Sequence, residues 1–254
     1  MKIVAIIPAR MSSSRFPGKP LAKILGKSMI EHVYIRASMS DVLDDVFIAT
    51  PDEEIRREVE RFGGKAIMTS PRHERASDRV AEAAEDMRDC DIVINLQGDE
   101  PLIHPEMINL AAEPLIKSKE IVCSNLVKRI ESESEYMDYN TIKVVADKHM
   151  NALYFSREPI PTKRILGFSD IPIYKQVCVI PFRRDFLLKY SRMKPTPLEQ
   201  AESIDMLRIL EHGYKVKLVE SGYDTHAVDT KKDLLKVESI MKSDKLYLSY
   251  AKRT

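Results

Sequence analysis

The first 30 residues carry six basic side chains, Lys2, Arg10, Arg15, Lys19, Lys23 and Lys27, and no Asp or Glu. The remaining charges nearly balance, so the excess is local. Arg10, Arg15 and Lys19 fall within PARMSSSRFPGKP (8–20), directly after an apolar run. A loop of this kind offers backbone N–H groups and cationic counter-charge to a polyanion, and phosphate is the natural ligand. A solvated basic loop is the plainer alternative. The second candidate is Gln97-Gly98-Asp99-Glu100-Pro101. A carboxylate beside a polyphosphate can hold Mg²⁺, a hard cation that takes one or two carboxylates plus phosphate oxygens. Gly-Asp is also a common turn pair. Asp229, in Val228-Asp229-Thr230, is either a second metal carboxylate or the N-cap of the helix that follows, and the local sequence favours the cap.

Three further groups have chemical potential. His73, Ser77, Asp78 and Arg79 suit recognition of a base and an anion, or a capping cluster with a surface Arg. Lys143 and Arg157 stand at strand ends, where cations can take an anionic acceptor or simply meet solvent. Glu199, Glu202 and Asp205 recur every three residues, as a solvated helix face or as acceptors for sugar hydroxyls. No Ser–His or Cys–His pair suggests a protein nucleophile. The six His show no ligand spacing.

The elements that must position these residues alternate. Residues 3–7, 46–50, 66–68 and 92–96 are strand-like, with helical patterns at 52–62 and from Ser77, an expected N-cap. Alternation of this kind means βαβ units, a parallel sheet and ligands beyond the carboxyl ends of the strands. The loops after Ile7, Thr50, Met68 and Leu96 should therefore meet at one crevice. The second half is more mixed: strands at 121–127, 141–145, 152–156 and 215–219, one extended run at 173–182, and helices at 198–213 and 231–241. The tail, 243–254, has weak signals and is expected to fray. A chain of 254 residues suits one continuous α/β domain, expected as a parallel, nucleotide-type half over 1–120 followed by a mixed half over 121–254 that holds a substrate subregion. Net charge is +1, and no apolar run approaches the ~20 residues of a membrane helix, so neither nucleic acid nor membrane is an expected partner. Cys90, Cys123 and Cys178 are odd in number and scattered, which suits reduced thiols and a cytoplasmic location.

Ile7-Pro8-Ala9-Arg10 followed by residues 14–21 (SRFPGKPL) resembles the opening of the CMP-sugar-acid synthetases, most nearly the CMP-Kdo synthetase (3-deoxy-manno-octulosonate cytidylyltransferase) family. Gly26-Lys27-Ser28-Met29-Ile30 is similar to that family's GKPMI, and residues 97–101 to its QGDEP. Residues 143–145, 152–157, 195–199 and 228–230 also fit, in order. The resemblance implies a Rossmann-like, mostly parallel sheet flanked by helices, with a smaller mixed-sheet subregion for substrate and dimerisation, the nucleotide-diphospho-sugar transferase type. It implies a Mg²⁺-dependent homodimer that couples CTP to a 3-deoxy-2-keto sugar acid and releases pyrophosphate. Arg10 and Lys19 would neutralise the triphosphate, with Asp99 as the third catalytic residue. Pro8, Ala9, Arg15, Ser77 and Arg79 would complete the nucleotide site. Gln97 would touch nucleotide and sugar. Asp99 and Asp229 would hold the metal, and Lys143, Arg157, Gln176, Glu202 and Asp205 would face the acceptor.

Departures from the family cluster on the acceptor side. Gln176 replaces a His, Ile180 a Tyr, and Asp205-Met206 a Glu-Gln pair; residues 75–79 read RASDR for SGTER, and 49–51 read ATP for ATD. The expectation is that CTP activation is kept and the acceptor altered. The competing readings are a metal-dependent glycosyltransferase of GT-A type, which handles a diphosphate and does not need so dense a basic loop, and a catalytically silent nucleotide-binding relative.

Overall fold

Residues 3–8 form the central strand because a run of β-branched side chains is covered on both faces, as parallel strands between helix layers are. The computed structural model describes residues 1–12, 16–166 and 170–251. From β1 (Ile3–Pro8) the basic loop closes through a 3-10 turn (Lys19–Leu21) and a small hairpin, β2 (Lys23–Ile24) and β3 (Lys27–Ser28). Then follow α1 (Met29–Ala37), β4 (Asp45–Thr50), α2 (Glu53–Arg61), β5 (Ala66–Met68), α3 (Ala76–Ala84), β6 (Ile92–Leu96) and α4 (Pro105–Lys117). The second half supplies β7 (Ser124–Arg129), α5 (Glu133–Met137), β8 (Lys143–Ala146), β9 (Ala152–Ser156), β10 (Tyr174–Val177) and β11 (Val179–Arg183). It ends with α6 (Arg184–Ser191), α7 (Pro197–Glu202), α8 (Asp205–Glu211), β12 (Lys217–Glu220), α9 (Lys231–Met241) and α10 (Lys245–Tyr250).

The first sheet has the order β11-β6-β1-β4-β5, parallel except for β11. The second is mixed, β12-β7-β10-β8-β9. Side chains alternate across β1: Val4 and Ile6 enter one core with Val80, Phe186 and Leu207, while Ile3, Ala5 and Ile7 enter another with Ile30, Val33 and Met107. No helix among the described residues is long and apolar enough to cross a membrane.

Several expectations are corrected. The run 173–182 is two strands: the chain changes sheets at Cys178, between β10 and β11. The single helix expected at 198–213 is broken by Ser203, which adopts φ 54, ψ 48, the left-handed conformation that ends α7. Ser77 is not an N-cap; Arg75 holds that position and Ser77 lies within the first turn. Nor does Asp229 cap α9, because Thr230 accepts from the Asp233 N–H in a capping box. The tail does not fray through residue 250: Asp244 caps α10 and Tyr250 is buried. Helix α4 is masked in the sequence by Pro114, although Pro105 at its start and the His104 cap are ordinary helix openings.

Candidate active site

A cleft of about 430 Å³ opens at the carboxyl ends of β1 and β6. The first loop lines it with Pro8, Ala9, Arg10 and Lys19; the turn after β6 adds Gln97, Gly98 and Asp99. The loop entering α3 contributes His73 to Arg75, the first turn of that helix adds Ala76 and Arg79, and Asp205 and Asp229 arrive from the second half. Close approach requires glycine at the β6 turn. A Cβ on Gly98 would lie 3.0 Å from Ile30 Cδ1, 3.2 Å from Ile7 Cγ2 and 3.3 Å from the Pro8 carbonyl oxygen. Gly18, at φ 70, turns the basic loop into the 3-10 segment that presents Lys19.

Lys19 is the hinge of the electrostatics. Its Nζ donates to Asp99 Oδ2 at 2.8 Å and lies 3.4 Å from Asp229 Oδ1. The two acidic segments are stitched together, since the Val228 N–H donates to the Asp99 carbonyl at 2.9 Å. Three positions far apart in sequence thus share one wall. The neighbouring Glu100 turns away: its carboxylate accepts from the His226 N–H at 3.1 Å, and burial, then the Asp99 charge, push its pKa up to about 8.

The first loop is braced from β4 rather than widened by it. The Met11 N–H donates to Asp52 Oδ2 at 2.7 Å, and the Gly18 N–H to the Met11 carbonyl at 3.0 Å. The loop after Thr50 therefore supports the cleft without lining it, contrary to expectation. Arg10 is exposed on the cleft. Arg15 lies outside the described residues. Arg79 is buried beneath the rim, donating to Thr69 Oγ1 at 2.6 Å and to the Ser70 and His73 carbonyls; burial, then the nearby Arg10, lower its pKa. Ser77 is buried too. Its Oγ donates to Asp205 Oδ2 at 2.7 Å and accepts from Asn95 Nδ2, so it aims Asp205 rather than meeting a ligand itself.

The expected acceptor residues divide. Gln97 and Asp205 line the cleft; Lys143, Arg157, Gln176 and Glu202 do not. Lys143 is fully buried, and its ammonium donates to the carbonyls of Asp138, Thr141 and Arg157; burial lowers its pKa. Arg157 lies over Tyr139 and donates to the Glu202 carbonyl at 2.7 Å, while the Glu202 carboxylate accepts from Ser156 Oγ and the Arg157 N–H, both at 2.8 Å. Gln176 Nε2 donates to Asn125 Oδ1 at 2.6 Å. These four fix the second sheet to the α7–α8 junction or to one another. The acidic stripe is likewise dissolved by the turn at Ser203: Glu199 is buried against Arg208, Glu202 meets the end of β9, and only Asp205 reaches the cleft. Sequence reasoning missed Arg75 as a lining residue; its guanidinium lies 3.3 Å from Asp205 Oδ1. The signal was available, because Arg75 departs from the family's Ser.

A family model described as cytidylyltransferase matches residues 4–220. A 3-deoxy-manno-octulosonate cytidylyltransferase of Geobacter metallireducens is 46% identical over 93% of this chain and 96% of its own length. The chain belongs to the 3-deoxy-manno-octulosonate cytidylyltransferase family. A relative with the same name from Fusobacterium nucleatum is 44% identical over 97% of this chain and 99% of its own. A solved CMP:2-keto-3-deoxy-manno-octonic acid synthetase complexed with CTP superposes with a TM-score of 0.89 at 40% identity, covering 95% of this chain and 99% of that one. A 4-diphosphocytidyl-2C-methyl-D-erythritol synthase from Anaerococcus prevotii, 15% identical with a TM-score of 0.63, shares the fold. As a member of this cytidylyltransferase family the chain is a nucleotidyltransferase. Two of its departures from the family pattern are internal: Ile180 and Met206 are buried in the core between the first sheet and α6 and α8.

Proposed function

We propose that the chain joins CTP to 3-deoxy-manno-octulosonate (Kdo), forming CMP-Kdo and pyrophosphate with Mg²⁺ as cofactor. The observation that carries this reading is the meeting of Lys19, Asp99 and Asp229 at the mouth of one cleft. It is supported by relatives that bear the name of that reaction over nearly their full length. The burial of Ile180 and Met206 removes two of the reasons for expecting a different acceptor.

In this reading the anomeric hydroxyl of the sugar acid gives up its proton to water, its oxygen attacks the α-phosphorus, and the bond from that phosphorus to the bridging oxygen breaks. Negative charge grows on the departing pyrophosphate. Arg10 and Lys19, which line the cleft, would neutralise it. Asp99 and Asp229 are the residues that would hold Mg²⁺. They fit, because two carboxylates leave most of its coordination to phosphate oxygens and water. When bound, the metal polarises the phosphate and lowers the pKa of the attacking hydroxyl. Asp205, held by Ser77 and Arg75, and Gln97 supply hydrogen-bonding groups at the acceptor side. No protein nucleophile is used.

The test incubates the purified protein with CTP, Mg²⁺ and a panel of sugar acids that includes Kdo, and reads products by mass spectrometry. CMP-Kdo and pyrophosphate from Kdo in preference to the other acids is the expected result. Turnover of another acid but not of Kdo would move the acceptor assignment, and loss of CTP without pyrophosphate would remove the nucleotidyl-transfer reading. Asp99→Asn should abolish turnover while the circular-dichroism spectrum stays native. Near-normal activity would take Asp99 out of the metal role.

A further inference from the structure

The three segments that carry Lys19, Asp99 and Asp229 share a support that lies behind the cleft. One part is apolar: Phe16 and Ile24 flank the Lys19 turn, Leu102 follows Asp99 and Val228 precedes Asp229, and all pack with Val237 and Met241 of α9. The other part is polar and buried. His32 and Arg36, one turn apart on α1, are 0% and 1% exposed. His32 Nε2 lies 2.8 Å from the Ile24 carbonyl oxygen, and Nδ1 lies 2.9 Å from the Tyr250 hydroxyl. A carbonyl only accepts, so Nε2 carries the proton and Nδ1 accepts from Tyr250. The Tyr250 oxygen in turn accepts from Arg36 Nε at 3.1 Å. Arg36 Nη1 donates to the carbonyls of Leu102 and Ile103, at 3.3 and 3.4 Å, and Nη2 pairs with Asp244 at 2.5 Å. His32, Tyr250 and Arg36 are thus linked in one relay that reaches the Ile24, Leu102 and Ile103 carbonyls and Asp244. The hydroxyl of one tyrosine, on the last helix, joins the two halves.

We propose that Tyr250 and Arg36 are positioning residues for the reactive centre: helix α10 clasps α1, and through it holds the Lys19 turn and the Asp99 loop in register with each other. This rests on the reading of Lys19, Asp99 and Asp229 as the triphosphate and metal site. Neither residue touches that site: Tyr250 acts through His32 on the Ile24 carbonyl, and Arg36 acts on those of Leu102 and Ile103. Removing the Tyr250 hydroxyl leaves a His nitrogen and an Arg N–H buried without their partner, while the ring still fills its place. The fold is then kept and the register loosened, and small misplacements of groups that hold a reacting phosphate are costly in rate.

The experiment compares wild type, Tyr250→Phe and Arg36→Lys with Leu187→Ala, which removes a fully buried side chain of α6 in the core on the other face of the first sheet from α1. Hydrogen exchange of the metal-free full chain is read on residues 19–25 and 99–103, and kcat and the half-saturating Mg²⁺ concentration are read with CTP and Kdo. In Tyr250→Phe both segments should exchange faster, kcat should fall about tenfold or more, and half-saturating Mg²⁺ should rise. Leu187→Ala should shift Tm without moving the Mg²⁺ value. Faster exchange confined to α10, or an activity loss matched by Leu187→Ala at equal Tm loss, overturns the proposal. Should wild type itself lack turnover, the functional reading fails, and the exchange of the two segments still decides the clasp.

Discussion

Lys19 does two things with one charge. In the free protein it neutralises two carboxylates on neighbouring loops, and in the proposed reaction it faces the phosphates of CTP. Lys19→Met should lower kcat by about 10²- to 10³-fold, the usual cost of removing one cation or donor aimed at developing charge. Pyrophosphate release at saturating Mg²⁺ and CTP measures this; a loss under about threefold would move Lys19 out of the centre. Met206 makes the opposite point. A departure from the family suggests altered substrate choice, yet the side chain is fully buried among apolar neighbours. Met206→Gln, which restores the family's residue, should cost about 1–3 kcal/mol by burying an amide. It should leave the preference among sugar acids unchanged. Urea unfolding and the acceptor panel check the two halves, and a changed acceptor ranking with normal stability would return Met206 to the site.

At the scale of elements, α1 ties the cleft to the pH response of the fold. Burial, opposed by the bond to the Ile24 carbonyl, holds the His32 pKa down to about 4, against 6.5 for the free side chain. Between these values the unfolded chain binds a proton that the native chain refuses, so stability rises with pH across this window and is lost as pH falls through it. The full penalty is up to about 3 kcal/mol below pH 4. His32→Gln offers a donor and an acceptor but does not titrate. Its urea midpoint should fall less than that of wild type between pH 6.5 and 4.5, and an equal fall would assign the acid limb to other groups. The same element shows what a sequence conveys. The apolar runs of β1 and β6 and the charges of the first loop stand out locally, and the cleft they define is where the sequence places it. Lys143 and Ser77 do not behave as their types suggest. Lys143 is turned inward by three carbonyls, two of them within five residues and the third on Arg157, and Ser77 is claimed by Asp205, 128 residues on; residue type alone encodes neither arrangement. The break at Ser203 is hidden because the apolar period runs across it; the contacts that fold α8 back on α7, Glu199 with Arg208 and the Leu198 and Glu199 N–H groups with Glu211, join residues nine to thirteen apart.

For the whole molecule, the two halves of the chain are built into each other. β11 comes from the second half and pairs with β6 along its length, from Val179 opposite Leu96 to Arg183 opposite Ile92. The two arginines at its end reach back to opposite faces of the sheet. Arg183 Nη2 donates to the carbonyls of Leu115 and Ser118, both at 2.7 Å, at the end of α4. Arg184 donates to those of Ala84 and Glu85, at 3.1 and 2.7 Å, at the end of α3. The carbonyls that close two helices of the first half are thus satisfied by the second. Without residues 121–254, β6 becomes an unpaired edge, and the face of the sheet carrying Val4, Ile6 and Val93 loses Phe182, Phe186 and Leu207. A fragment of residues 1–120 should therefore show no cooperative thermal transition and should bind a hydrophobic dye. Wild type should unfold in one step under the same conditions. A cooperative transition in the fragment, followed by circular dichroism, would mean that the apolar contacts within β1, β4, β5 and their helices suffice and that β11 is an addition to a sheet already stable.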